Sequence, residues 1–285
     1  MNKQRAAFLS IVSNSILLIL KIAAGLLMGS LSVISEAAHS GIDLIASFIA
    51  FISIQKAKQP ADNQHPFGHG KFENVSGFFE AMLIFVAAII IIIEAVKKLV
   101  HPGKVEVLTW GIAIMAISVI MNIIISQLLF KVSKKTGSIA LEADAMHLHV
   151  DVFTSLSVMV GLILIKITHW VILDPIIAIV VACLICKASF DLTKKALKDL
   201  VDEQLPEHEI AKIKEIFDGD PAVIEYHKLR TRKCGQQREI DIHVVMAKSL
   251  ELEQAHAMCD TIEHRIRLEF PETTITIHVE PSAID

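Results

Sequence analysis

Two histidine–aspartate pairs with the same spacing stand inside apolar stretches of the sequence. The first pair is His39 and Asp43, and the second is His147 and Asp151. Residues four apart lie on one face of a helix, so each imidazole and its carboxylate can turn towards the same point. Two imidazoles and two carboxylates suit a tetrahedral zinc ion. Each pair supplies half of such a site, and we expect the two halves to meet.

The segments around these two pairs are copies of one another. Without a gap, Ala37 corresponds to Ala145 and Ser47 to Ser155, in addition to the histidine and aspartate positions. One isolated polar residue in a membrane helix is explained equally well by a hydrogen bond to a neighbouring helix. Four ionisable groups at a duplicated spacing favour a functional site instead.

The composition indicates a membrane protein with a separate polar part. The 285 residues are 53% hydrophobic, with a mean hydropathy of +0.55, which is more apolar than an average soluble domain. The later part of the chain is charged and mixed, so we expect a membrane domain at 1–200 and a second domain at 201–285. The net charge of −4 argues against a nucleic-acid partner, because phosphate binding needs clustered Lys and Arg.

Apolar runs of about 20 residues, the length that crosses a lipid bilayer, predict six spans. They lie at about 8–28, 31–55, 75–100, 107–130, 139–166 and 171–190. The first run is long enough to span and lacks a clear cleavage pattern, so we expect it to be retained.

The positive charges indicate which side of the membrane holds the termini. Six spans return the chain to its starting side, and cytoplasmic termini place most of the flanking cations inside, as the positive-inside rule requires. The inner cations are then Lys3, Arg5, Lys56, Lys58, Lys71, Lys131, Lys134, Lys135, Lys194, Lys195 and Lys198. Spans two and five run in opposite directions, which is the arrangement of inverted repeats in secondary transporters.

A polar segment between spans two and three is a second candidate site. Residues 59–71, QPADNQHPFGHGK, are rich in turn-forming residues and are not a helix interior. Asp62, His65 and His69 could hold a metal with one coordination position left open. A solvated loop, in which these side chains only stabilise turns, fits the same residues.

The last part of the sequence predicts an α+β domain with the order α-β-β-α-β. Helices are expected at 207–218 and 252–270, and strands at 223–232, 239–247 and 273–280. This order suits two helices on one face of a three-stranded sheet.

Histidines are concentrated in this domain. His227, His243 and His278 fall on the predicted strands, and His256 falls on the second helix. Glu280 is two residues after His278, so both lie on one face of their strand. A zinc cluster and a set of unrelated surface histidines both fit this spacing.

The four cysteines do not form a disulfide framework in a chain of this length. Cys183 and Cys186 are three apart in an apolar helix, where small core residues are expected rather than a ligand pair. Cys234 and Cys259 lie in the polar part and are compatible with a reducing cytosol.

Together these motifs resemble the cation diffusion facilitator family, in particular its YiiP-like bacterial zinc-exporting members. The resemblance covers essentially the whole chain. Besides the spans and the two HxxxD pairs, it rests on ADNQHPFGHGKFE at 61–73, LVDEQLP at 200–206, LRTRKCG at 229–235 and IHVEP at 277–281. It implies a homodimeric exporter of the cell inner membrane that works by alternating access, with metallochaperone-like cytoplasmic domains.

The resemblance also implies three metal sites and one charged contact. The transport site is His39, Asp43, His147 and Asp151; the loop site is Asp62, His65 and His69; the cytoplasmic binuclear site is His227, His243, His256, His278 and Glu280; and the charge interlock is Lys71 with Asp202. Two positions depart from the family pattern: some YiiP-like members have Asp where this chain has His39, and the final cytoplasmic ligand, commonly Asp, is Glu280.

The expected cargo is Zn²⁺, with protons moving in the opposite direction. The imidazole at His39 matches the zinc-selective branch, and Cd²⁺ and Co²⁺ remain alternatives because the affinity order of divalent metals is a poor guide to the ion carried. A membrane metalloenzyme would need a general base beside an open metal position, and HExxH is absent, so we expect no enzyme. The remaining alternative is a membrane-bound metal sensor without flux.

Overall fold

The computed structural model of this chain describes residues 1–28, 31–100, 109–168, 170 and 172–283. Over these residues the chain forms eight helices and three strands. It divides into two compact units, Met1–Gln59 with Phe72–Leu197, and Pro60–Lys71 with Lys198–Asp285. The division expected from the sequence places residues 60–71 in the membrane domain, whereas their contacts place them in the second unit.

The first unit consists of six long helices. They are α1 (Lys3–Met28), α2 (Leu31–Ala57), α3 (Lys71–Val100), α4 (Thr109–Thr136), α5 (Ile139–Thr168) and α6 (Leu173–Leu200). Among the described residues, α1, α2, α3, α4 and α6 contain stretches long and apolar enough to cross a membrane, and α5 is as long as α3, with 30 residues. The predicted helical membrane domain is confirmed. The predicted starts of the fourth and sixth spans, at 107 and 171, lie outside the described residues.

Several helices continue beyond the apolar run that predicted them. The sixth predicted span stops at 190, but α6 continues to Leu200. Its last turns carry lysines, which are good helix formers, and Lys195 is paired with Glu142 of α5 at 2.6 Å. Hydropathy measures only the part that suits lipid, so it misses polar turns that extend a helix.

Small side chains allow the helices of this unit to pack closely. Ala6 and Ala7 of α1 and Ala140 and Ala145 of α5 are fully buried in one cluster. Without a hydrophobic drive between helices in lipid, close backbone approach through small residues is the usual means of association. This packing holds α1, α2, α4 and α5 around a common polar interior.

The second unit confirms the predicted α-β-β-α-β order. Its elements are α7 (Glu207–Asp218), β1 (Glu225–Cys234), β2 (Gln237–Met246), α8 (Leu252–Glu269) and β3 (Thr273–Pro281). The sheet order is β1-β2-β3, with β1 and β2 antiparallel and β2 and β3 parallel. Phe217, Ile242 and Ile262 lie in the core between the helices and the sheet.

Residues 60–71 pack against the hairpin that joins β1 to β2. Gly235 has φ 63°, and a Cβ there would lie 2.8 Å from the Cα of Gly70, so only glycine fits the close approach. The Cys234 thiol donates to the carbonyl oxygen of Phe67 at 3.4 Å. The guanidinium of Arg232 lies 4.7 Å from the centre of the Phe67 ring, within the range of a cation–π contact.

Candidate metal sites

The two HxxxD pairs meet in the interior of the first unit. His147 Nε2 of α5 lies 2.9 Å from Asp43 Oδ1 of α2, which brings the two helices together across the repeat. His39 Nε2 lies 3.9 Å from Asp43 Oδ1 and 3.8 Å from Asp151 Oδ1. Donor atoms of His39, Asp43 and Asp151 are all within 4.8 Å of one another. The structure therefore gathers all four predicted residues at one place.

These distances fit a small tetrahedral ion. Zinc lies about 2.0–2.2 Å from nitrogen and oxygen ligands, which places the ligand atoms of a tetrahedron about 3.3 Å apart. Asp43 is 5% exposed and His147 is 8% exposed, while the side chain of His39 is 51% exposed. The cluster is thus open on the side of His39, and protein closes it on the side of Asp43 and His147.

A cavity of about 110 Å³ lies against the cluster, with room for an ion and water. It extends from the level of Asn14 and Asp43 towards the end of α1 and the start of α2. Its lining residues are Asn14, Leu17 and Lys21 of α1, Glu36, His39, Ser40 and Asp43 of α2, Ser118, Val119 and Asn122 of α4, and Asp151, Thr154 and Ser155 of α5.

Below the cluster, one helical turn beyond Asp43, a buried hydrogen-bond network joins three helices. Ser47 donates to Asp144 Oδ1 at 2.8 Å, and Asn14 donates to Ser47 at 2.8 Å. The Ser10 hydroxyl lies 3.2 Å from that of Ser47. Because Asp43 and Ser47 are four apart on α2, these bonds fix the helix face that carries the ligand.

Neither this network nor the polar groups at the other end of the cavity belong to a motif in the sequence. Lys21 Nζ donates to Ser40 Oγ at 2.8 Å and pairs with Glu36 Oε2 at 3.2 Å. A signal was present in the sequence, because ionisable residues such as Lys21 and Asp144 are rare inside apolar spans. Their partners on other helices depend on the packing, which spacing alone does not give.

The loop residues Asp62, His65 and His69 also come together. His65 Nδ1 lies 3.3 Å from Asp62 Oδ1, and His69 Nε2 lies 3.3 Å from Asp62 Oδ2. Asp62 Oδ1 accepts hydrogen bonds from the backbone amides of His65 and Gln64 at 2.7 and 2.9 Å. The amide of His65 lowers the pKa of Asp62, which keeps this carboxylate ionised. The loop is therefore turned by the same aspartate that faces both imidazoles.

Three histidines of the second unit form a row across the sheet. His227 of β1 is the partner of His243 of β2, and His243 is the partner of His278 of β3. The ring centres of His227 and His243 are 5.3 Å apart, and those of His243 and His278 are 4.6 Å apart. Side chains at the same register position share one face of a sheet, so strand pairing itself builds the row.

Glu280 closes this row into a cluster. One carboxylate oxygen lies 2.7 Å from His243 Nδ1, and the other lies 3.4 Å from His227 Nε2. His278 Nε2 is 3.9 Å from Glu280. The hydrogen bond with His243 lowers the pKa of Glu280. The longer glutamate side chain thus reaches histidines on both other strands.

His256 differs from the other predicted cytoplasmic ligands. Its side chain is 77% exposed on α8, and its Nε2 atom lies 3.8 Å from Asp260 one turn along the helix. Among the described residues from Lys198 onwards, the group with converging donor atoms is His227, His243 and Glu280. His256 lines a groove together with Glu280, and the contact of its own ring is with Asp260.

Lys71 and Asp202, the predicted interlock, are in direct contact within the second unit. Lys71 Nζ lies 2.7 Å from Asp202 Oδ1, and Arg232 lies 3.3 Å from Asp202 Oδ2. Arg232 also pairs with Glu239 at 2.5 Å. The hydrogen bond from Lys71 lowers the pKa of Asp202. Asp202 has φ 58°, a conformation that aspartate adopts more readily than most residues.

The two cysteines of α6 have different environments. Cys186 is partly buried and packs against a cluster that contains Ile84 and Val150, as expected of a small core residue. Cys183 is exposed, so the expectation of a core position does not extend to it.

Comparison with known proteins covers both units. The model of the cation efflux transmembrane domain matches residues 7–201, and that of the cation efflux protein cytoplasmic domain matches 205–282. The cation-efflux pump FieF of Shewanella oneidensis is 30% identical over 276 residues, which are 97% of this chain and 93% of the relative. The uncharacterized transporter sll1263 of Synechocystis is 34% identical over 263 residues, 92% of this chain and 85% of the relative. A solved zinc form of CzrB is 34% identical over 30% of this chain and 97% of that chain, with a TM-score of 0.26.

Proposed function

This chain belongs to the cation diffusion facilitator family of cation-efflux transporters, and on that premise we propose that it exports Zn²⁺ in exchange for protons. The family consists of transporters rather than enzymes. The observation that carries the proposal is the meeting of His39, Asp43, His147 and Asp151 from two helices of the membrane domain.

Zinc is the ion that the donor set favours. Two imidazole nitrogens and two carboxylate oxygens suit a borderline-soft ion in four-coordinate geometry. Magnesium and calcium prefer six or more oxygen ligands, which this cluster does not offer. Cd²⁺ and Co²⁺ accept the same donors, so a metal series belongs in the test.

Proton exchange follows from the imidazoles. A free imidazole has a pKa of about 6.5, and it binds a metal only through an unprotonated nitrogen, so zinc and protons compete for His39 and His147. A higher proton concentration outside than in the cytoplasm then favours zinc binding on the inner side and displacement of zinc by protons on the outer side. Alternating access then carries zinc one way and protons the other.

The remaining sites belong to regulation and assembly in this proposal. The loop residues Asp62, His65 and His69 form a second zinc site with an open position. His227, His243, His278 and Glu280 form the cytoplasmic zinc site of a homodimer, with His256 outside it. The positive-inside rule supports cytoplasmic termini in the inner membrane.

Zinc flux into sealed vesicles tests the proposal directly. In vesicles with the cytoplasmic side outward, zinc should enter, faster with an acidic lumen, and lumenal protons should leave. Asp43→Ala and Asp151→Ala should abolish entry, whereas Asp174→Asn, which alters a carboxylate of α6 paired with Lys98, should retain it. Binding without flux would identify a sensor instead. An initial rate that is unchanged when an ionophore collapses the pH gradient, without proton counter-flow, would exclude the exchange.

A further inference from the structure

Lys21 is a lysine buried in the interior of the membrane domain. It is 7% exposed, and its ammonium group donates to Ser40 Oγ at 2.8 Å. Its ion-pair partner, Glu36, is 3.2 Å away and has a side chain that is 53% exposed. The positive charge is thus buried in the protein, while the carboxylate of Glu36 that pairs with it is half-exposed. A cation is costly at such a position, which favours a role that needs the charge.

The ammonium group shares a cavity with the residues of the transport site. Lys21, Glu36 and Ser40 line the same space as His39, Asp43 and Asp151. Ser40, which holds the ammonium, follows His39 directly in the chain. An ion that leaves the cluster through this cavity must therefore pass near a fixed positive charge.

If Lys21 only linked α1 to α2 by hydrogen bonds, a lysine would not be required. A neutral amide could donate to both Ser40 and Glu36 with similar geometry. What lysine adds is one unit of charge in a low-dielectric space, where electrostatic interactions are stronger than in water. That charge repels a divalent cation, and the exposed carboxylate of Glu36 offsets it only in part.

We propose that Lys21 weakens cation binding at the transport site in the conformation described here and so promotes release through this cavity. The proposal rests on the proposed function, because it assigns the cavity to the exit path of the transported ion. With a cytoplasmic N-terminus, the end of α1 and the start of α2 face the exterior, so the cavity extends towards the side on which zinc is released. A bound ion that is held too tightly there would slow each cycle.

The test measures zinc affinity separately from zinc flux. Full-length protein carrying Asp62→Ala and His243→Ala lacks a residue of each other cluster, so competition with a zinc-chelating dye reports on the transport site. In this background Lys21→Gln should tighten zinc binding about tenfold or more. Lys21→Arg should leave the affinity near its starting value because it keeps the charge. Lys98→Gln, which removes an exposed lysine paired with Asp174, is the matched control and should change nothing.

Flux gives the second readout. Lys21→Gln should lower both the KM and the maximal rate of zinc transport, a combination that a loss of packing would not produce. If Lys21→Gln does not fold, Lys21→Met provides the same loss of charge. Unchanged or weaker zinc binding in a folded, neutral variant would overturn the proposal.

The same experiment separates this inference from the proposed function. If Asp43→Ala does not weaken zinc binding in this background, the transport site itself has been misassigned. If Asp43→Ala abolishes binding and flux but Lys21→Gln matches the parent protein in both, the transport site stands and the role of Lys21 is excluded.

Discussion

His147 Nε2 and Asp43 Oδ1 lie 2.9 Å apart although 104 residues separate them in the chain. This contact joins the two copies of the internal repeat, since Asp43 belongs to the first and His147 to the second. Neither copy has four ligands of its own. The candidate transport site therefore depends on the packing of α2 against α5, and any movement between these helices changes its geometry.

The first prediction concerns the metal preference set by His39. His39→Asp replaces a nitrogen donor with an oxygen donor beside two carboxylates, so zinc transport should fall and transport of harder ions such as Mn²⁺ should rise. Flux measured across a metal series checks this. His149→Gln is the control, because His149 of α5 packs between Phe130 and Phe153. An unchanged metal profile in His39→Asp would remove His39 from the ligand set.

The second prediction concerns Glu80 of α3, which is 2% exposed. Among the described residues, neither of its carboxylate oxygens has a hydrogen-bond partner. Burying an unpartnered acidic group is unfavourable, so Glu80→Met, which puts an apolar side chain of similar size in its place, should raise the free energy of unfolding by about 1 kcal/mol or more. Thermal unfolding in detergent measures the change. A clear fall in melting temperature would mean that the carboxylate has a stabilising partner.

The sequence predicts contacts between residues close in the chain better than contacts between distant residues. His39 and Asp43 lie on one helix, so the helical period alone placed them on one face. The row of His227, His243 and His278 depends on strand register, and the sequence named these residues without pairing them. His256 was grouped with them, but its position on α8 turns it towards Asp260.

Long-range packing explains what the sequence did not reveal. The segment 59–71 was predicted to be a loop from its turn formers, but the position of residues 60–71 against the β1–β2 hairpin depends on the contact between Gly70 and Gly235. Likewise, the sequence does not show that Lys21 of α1 binds Ser40 of α2, because this contact depends on the packing of the two helices. Local patterns do not contain such contacts, because each contact joins distant parts of the chain.

The third prediction concerns the coupling of Lys71 and Asp202. A direct charge swap is a poor test here, because a lysine at 202 would face Arg232 and would adopt the φ of 58° found there. Lys71→Gln and Asp202→Asn avoid both problems, since asparagine tolerates a positive φ. Both side chains are partly exposed, so the coupling energy in a double-mutant cycle should be about 1 kcal/mol or less.

Thermal unfolding and zinc flux of the two single variants and the double variant complete this cycle. If the effects of the single variants simply add in the double variant, Lys71 and Asp202 are not energetically coupled. If a single variant has a lower zinc flux but an unchanged melting temperature, the contact between Lys71 and Asp202 contributes to transport and not to folding.

The fourth prediction is a pH dependence of stability from Glu209 of α7. Arg238 of β2 binds its carboxylate with two hydrogen bonds, at 2.7 and 3.0 Å, and lowers its pKa. A lowered carboxyl pKa gives stability that is present above the ordinary glutamate value of about 4.3 and is lost as the pH falls through the folded value. Glu209→Gln should therefore lower the melting temperature at pH 7, and the difference from the parent should shrink below about pH 4.

The matched control for this carboxylate is Glu269→Gln. Glu269 pairs with Lys212, but both side chains are largely exposed, so its loss should have little effect at either pH. A melting-temperature difference for Glu209→Gln that stays constant from pH 7 to about pH 3.5 would mean that the ion pair is not its source.

The last prediction separates the ligands of the cytoplasmic cluster. His243 lies on the central strand, contacts Glu280 at 2.7 Å and has a histidine beside it on each flanking strand. His256 is exposed on α8 and faces Asp260. Both changes are made in a protein that already carries Asp43→Ala and Asp62→Ala. In it, His243→Ala should lower the zinc affinity of the second unit about tenfold or more, which is the usual effect of losing a ligand or a residue that supports one. His256→Ala should retain nearly all of the binding. Calorimetric titration with Zn²⁺ measures both variants under one condition. If His256→Ala loses as much affinity as His243→Ala, His256 is a ligand of the cytoplasmic zinc site and the prediction is wrong.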